Sequence, residues 1–145
     1  MRVVGPRYAH NNCMSMKDLF DGENSVLLEI IVFVLGAASY AMIEVLFRGH
    51  THWTMVLTGG ACVLTLYYLQ DWLLGMPLVL GALAGAVIIT FYELCVGVIV
   101  NLKLGWNVWD YSQMPCNVLG QICPTFTAMW FGLCLVFLGL VKLFS

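Results

Sequence analysis

Long apolar stretches separated by short polar ones set the pattern of this chain. Four runs, at 25–47, 53–69, 77–100 and 125–144, are apolar enough and near enough in length to cross a membrane, since a bilayer core of about 30 Å takes about 20 residues of helix. The runs are continuous and do not alternate with a period of two, so they predict helices and not barrel strands. The second is the shortest, and Gly59-Gly60 and several threonines interrupt it; leaving it out would strand Val63 to Leu69 in water. The prediction is an all-α integral membrane protein, a compact bundle of about four transmembrane helices occupying 25–145 as one unit.

Residues 1–24 are the polar exception, and Asn24-Ser25 offers a cap at the start of the first span. Ala37-Ala38-Ser39 resembles a signal-peptide cleavage site, but the preceding region is long and half acidic and Glu29 interrupts the apolar core. An uncleaved first helix is the better reading. Residues 101–124 are rich in Trp, Asn and Gln, which predicts an interfacial or re-entrant loop; Pro124 suits the first turn of the last helix.

Composition sharpens this. The 145 residues are 61% hydrophobic and 10% charged, against about 25% charged in soluble domains. Six Lys and Arg against eight Asp and Glu leave no basic stripe for nucleic acid. With four spans the termini share a side, which then carries Arg2, Arg7, Lys17 and Lys142 against Arg48 and Lys103 opposite. The positive-inside rule places the termini in the cytoplasm. Cys62, Cys95 and Cys134 read as small packing residues; a Cys116–Cys123 disulfide would need an oxidising compartment.

The first and third spans echo one another. Gly36-Ala37 precedes Glu44 as Gly85-Ala86 precedes Glu93; Arg48 and Trp53 follow in one half, Lys103 and Trp106 in the other. Val56-Leu57 with Gly59 would then answer Val118-Leu119-Gly120. Such a repeat implies two parallel two-helix halves related by an axis along the membrane normal. Gly81 and Gly85 form a G-x-x-x-G surface, which would seat the third helix centrally.

A few polar groups sit where their cost is high. A carboxyl at membrane depth costs about 2.5–3.5 kcal/mol on insertion scales and marks function by default. Glu93 is the clearest case, either a packing device or a proton, ion or substrate site. Glu44 stands one turn before Arg48, so an ion pair explains it as well as function does. Glu29 reads as a group favouring the positive end of the first helix, and Asp71 as part of a tight Gln70-Asp71-Trp72 link. His50 and His52 make an H-x-H pair that can ligate metal, although solvated loop histidines are the commoner case; no metal or other cofactor is assigned. Trp109, Asp110, Tyr111, Ser112, Asn117 and Gln121 supply the loop's polar and aromatic chemistry.

Glu93-Leu-Cys-Val-Gly97, Trp109-Asp110-Tyr111-Ser112, Asn117-Val-Leu-Gly120-Gln121-Ile-Cys123 and Trp130, in that order, resemble the CmpB-type family of ABC-transporter membrane proteins. The W-D-Y-S signature is similar also to that of related animal transmembrane proteins. Glu44 resembles a second acidic position of the family, whereas Thr58-Gly59-Gly60 lacks the proline associated with its second span. The resemblance implies a multi-pass protein of the bacterial cell membrane, a permease component for a small solute or ion. Glu44, Glu93, the 109–112 motif, Asn117 and Gln121 would then be its pathway residues. No G-x-x-x-x-G-K-[ST] occurs in the chain, so ATP hydrolysis would fall to a separate subunit. The chain's small size points to a homo-oligomer or such a partner. Two other readings stand beside this one. The first is a non-catalytic scaffold; the second is an intramembrane metal-dependent enzyme built from Glu44, Glu93, Asp110 and His50 or His52.

Overall fold

The computed structural model describes residues 16–144, with side chains over 25–143; Arg2, Arg7 and Cys13 of the polar N-terminal segment lie outside the described residues. Five α-helices follow in order: α1 (Met16–Arg48), α2 (Trp53–Tyr68), α3 (Gln70–Gly75), α4 (Leu78–Gly97) and α5 (Pro124–Phe144). A π-helical turn, Val98–Lys103, prolongs α4. The described residues hold no strand, only an isolated bridge between Val118 and Ile122. This is the all-α membrane bundle that the apolar runs predict.

Three segments are long and apolar enough to cross a membrane: Ser25–Arg48, Leu78–Lys103 and Pro124–Leu143. The second run behaves differently. α2 has 16 residues, or about 24 Å of helix, and the helix breaks at Leu69 before α3 begins at Gln70. The Leu69 carbonyl still accepts from the Leu73 N–H, at 2.9 Å. The Gln70-Asp71-Trp72 link is therefore the first turn of α3 and not a free turn. Similarly, α1 runs unbroken through Asn24-Ser25, so those residues do not cap it and Glu29 lies inside the helix, opposite Tyr68.

The helices pair as two hairpins, α1 on α2 and α4 on α5, with α2 and α3 resting on α4. Small residues make the seams close. A Cβ at Gly36 would stand 2.5 Å from Val63, and one at Gly59 would overlap Tyr40. On α4, a Cβ at Gly81 would meet the Leu73 carbonyl at 2.5 Å and one at Gly85 the Cys134 thiol at 2.9 Å. The G-x-x-x-G surface thus receives α3 and α5 at once. α4 is central: 33% of its apolar window is buried, against 17% for α1 and α5. The outward faces carry exposed Val34, Leu46, Phe91 and Val136, as lipid-facing helices do. α1 and α5 do not pack along their length; the ring of Tyr40 lies on that of Trp130, with centroids 5.3 Å apart.

The repeat survives only in part. Glu44 and Glu93 both lie near the same end of the bundle, and Trp53 and Trp106 meet there with centroids 5.9 Å apart. Val56, Leu57 and Gly59 are helical, however, whereas Val118, Leu119 and Gly120 belong to the loop. Each half has its own route back across the bundle.

Candidate functional site

Glu93 is 2% exposed, on the inner face of α4 with Ala82, Ala86 and Ile89. Its Oε1 accepts the Tyr40 hydroxyl at 2.9 Å, so the carboxyl is bonded by the opposite hairpin. The Trp130 indole approaches from α5, near enough to act on the carboxyl electrostatically. Its N–H nevertheless falls outside good hydrogen-bond geometry, and it is the one buried side-chain nitrogen or oxygen without a partner among the described residues. A carboxyl, a phenol and an indole from three helices thus converge at one point within the spans.

A cavity of about 430 Å³, within the ~300–1,000 Å³ typical of small-molecule sites, is lined in part by Tyr40 and Trp130. It runs between the hairpins toward Gln70 and Leu73, and its walls are almost wholly apolar. A second hollow, about 470 Å³, is a shallow depression between the loop and α5, lined by Val118, Ile122 and Phe131. It lies away from Glu93.

Glu44 is also buried, but its needs are met. Arg48 Nη1 reaches Oε1 at 2.7 Å and Thr51 Oγ1 donates to Oε2 at 2.6 Å. The other arm of Arg48 donates to the Val108 carbonyl at 2.6 Å, so one residue ties α1 to the loop. Glu44 and Glu93 influence each other through space, and no hydrogen bond joins them.

The loop closes around Asn101, which the π turn directs inward. Asn101 Nδ2 donates to the Trp109 carbonyl at 2.9 Å and to Gln121 Oε1 at 2.7 Å, while Oδ1 accepts the Val108 N–H at 2.7 Å. Trp109 Nε1 donates to the Gln121 carbonyl at 2.9 Å. A side chain at Gly97 would collide here, its Cβ 2.6 Å from Gln121 Oε1 and 2.9 Å from Trp109 Cζ2. Gly97 therefore gives the loop its seat.

Asp110, Ser112 and Asn117 fold the outer half of the loop. Asp110 accepts the Ser112 N–H at 2.8 Å and its hydroxyl at 3.0 Å. Asn117 donates to the Ser112 and Met114 carbonyls and accepts the Gly120 N–H. The Tyr111 N–H then bonds the Gly120 carbonyl at 2.7 Å, and Gly120 takes the left-handed φ of +68° with Asp110 against its Cα. The two quoted motifs are halves of one hydrogen-bonded unit. The Tyr111 ring stacks on Phe126 at 4.5 Å, and burial, followed by the nearby Glu93, pushes its phenol well above the ordinary value.

The comparisons with known proteins bear on the whole of this arrangement. A model of the family described as "Putative ABC-transporter type IV", the CmpB family, matches residues 24–145. The chain belongs to this family. No curated protein and no solved structure matches it. The match runs through both hairpins and the loop of this CmpB-family chain, which is an integral membrane protein by its helices and its family alike.

In the CmpB-family chain, the five residues offered for a metal do not assemble. Among the described residues no three His, Cys, Asp or Glu side chains group closely enough to hold an ion. His52 caps α2, its Nδ1 2.8 Å from Thr54 Oγ1, and its ring lies near Trp53 and Trp106. His50 bonds the Arg48 carbonyl. Cys116 and Cys123 are free thiols. Three features escaped the sequence reading: Tyr40, Asn101 and the second bond of Arg48. The signal for Asn101 was an amide at the end of an apolar run, taken as the loop's first residue.

Proposed function

We propose that this chain is the membrane-embedded permease component of a transporter, with Glu93 as the polar group of its pathway. The supporting observation is the buried carboxyl itself. It lies within a span and holds the Tyr40 hydroxyl from the opposite hairpin, and that tyrosine also lines a cavity between the halves. A carboxyl needed only to pin two helices would not need that space beside it. Energy would come from a separate ATPase subunit, that subunit or further copies of the chain would complete the pathway, and the termini face the cytoplasm. Trp109, Asp110, Tyr111, Ser112, Asn117 and Gln121 act as the clamp that fixes the α4 end of the pathway. Glu44 holds that clamp through Arg48.

The test begins with co-purification from native membranes, where an ATPase in the eluate supports the permease role. The purified assembly is then sealed into vesicles and offered a labelled cell extract, and imported compounds are read by mass spectrometry. Glu93→Gln is expected to reduce uptake to background at unchanged yield of folded protein. Equal uptake by wild type and variant would overturn the role given to Glu93. The scaffold reading draws on the internally satisfied groups, Glu44, Asn101, Asp110 and Asn117. It requires instead that Glu93→Gln alter partner yield with no uptake in either protein.

A further inference from the structure

We infer that the cavity between the hairpins binds a lipophilic organic cation, an apolar body around an ammonium- or phosphonium-type centre. The inference rests on the pathway role of Glu93 and names the class of molecule that the site accepts. Charge comes first. Among the described residues Glu93 has no ion-pair partner; Arg48 acts on it only from a distance and is bonded to Glu44. Lys142 is spent on the Met76 carbonyl at 2.7 Å. An ionised Glu93 therefore leaves an unbalanced negative charge in a low-dielectric setting, where the attraction for a cation is least screened.

The second observation is what separates Glu93 from the cavity. The Tyr40 and Trp130 rings, stacked 22° from parallel, both line the cavity and both face the carboxyl with their polar edges. A ring whose O–H is donated to a carboxylate is enriched in electron density, which strengthens its attraction for a cation beside it. Apolar and aromatic walls of this type favour cations whose charge is spread over an apolar surface, because a small hydrated ion would lose its water to walls that return no hydrogen bonds.

The third is access. Among the described residues α1 and α5 make little contact beyond the Tyr40–Trp130 stack, and the cavity's lining includes the exposed Leu35, Leu133 and Phe137. The opening faces the bilayer, from which a lipid-soluble cation can enter sideways. A hydrophilic solute would have to cross that apolar rim first.

Two ions of matched shape and opposite sign test the inference, tetraphenylphosphonium and tetraphenylborate. Each is titrated onto the full chain in lipid nanodiscs, with empty discs subtracted. The phosphonium is expected to bind saturably and the borate not at all. Glu93→Gln should weaken phosphonium binding at least about ten-fold, and Ser39→Trp, which fills the exposed rim of the cavity, should abolish it without touching Glu93. Equal binding of both ions, no saturable binding of either, or full affinity in Ser39→Trp would each overturn the site, even if Glu93→Gln failed to fold. Phosphonium binding without uptake by any vesicle would sink the transport reading and leave this site standing. Glu93-dependent uptake from the extract without phosphonium binding would do the reverse.

Discussion

Asn101→Leu removes the centre of the loop's polar cluster while keeping the side chain's bulk. Three bonds go at once, two donated to Trp109 O and Gln121 Oε1 and one accepted from Val108 N. A hydrogen bond contributes about 0.5–1.5 kcal/mol net, but a buried partner left unsatisfied costs about 1–3 kcal/mol. Trp109 and Gln121 are each only 3% exposed, while Val108 is half-buried and can recover water. Two stranded buried acceptors put the loss at about 2–6 kcal/mol. The loop should loosen before the helices do. Hydrogen exchange in nanodiscs reads this directly: amides of 106–122 in Asn101→Leu are expected to lose protection by ten-fold or more, with α2 and α5 unchanged. Wild-type protection throughout the loop would refute the claim that Asn101 organises it.

Other expectations follow from the same geometry. Gly97→Ala should displace Gln121 and Trp109, since the added carbon has 2.6 Å to the nearest atom. A cost of about 1–3 kcal/mol is expected from such overpacking, read as a shift in the detergent-titration midpoint. Arg48→Met frees the Val108 carbonyl and leaves Glu44 with Thr51 alone. Because Arg48 is 21% exposed, screening limits the loss to about 1–2 kcal/mol, and Trp106 fluorescence should redden as the loop detaches; an unchanged spectrum would count against that tie. Cys116 is exposed and Cys62, Cys123 and Cys134 are buried, so a maleimide should label Cys116 in the folded protein and those three only after unfolding.

Much of the architecture was legible because its cost is local. Each apolar run declares itself by composition, and small residues at 81, 82, 85 and 86 mark a crowded face wherever the partners come from. Glu93 was conspicuous for the same reason, a carboxyl with no neighbour on its own helix to explain it. What bonds Glu93 was less so. Tyr40 lies 53 positions away in sequence, and its choice of Glu93 over Glu44 depends on how two hairpins meet. The loop was legible as chemistry but not as geometry. Its polar residues are mostly bonded to one another across a reversal made at Gly120, which no periodicity announces. The helical start of α3 at Gln70-Asp71-Trp72 read as a tight link because the break at Leu69 leaves hydropathy untouched.

The π turn at Val98–Lys103 fixes the phase of everything after it. Its Leu104 N–H bonds the Ile99 carbonyl at 3.0 Å, five residues back in place of four, so this turn holds one residue more than an α-turn would. Deleting a single residue there would restore the α-helix and swing the following segment by about 100°. Asn101 would leave Gln121, and the loop would lose its seat on Gly97. Natural variation between Glu93 and Trp109 should accordingly be free in side chains and rigid in count: substitutions at Ile99 or Leu102 tolerated, insertions and deletions absent.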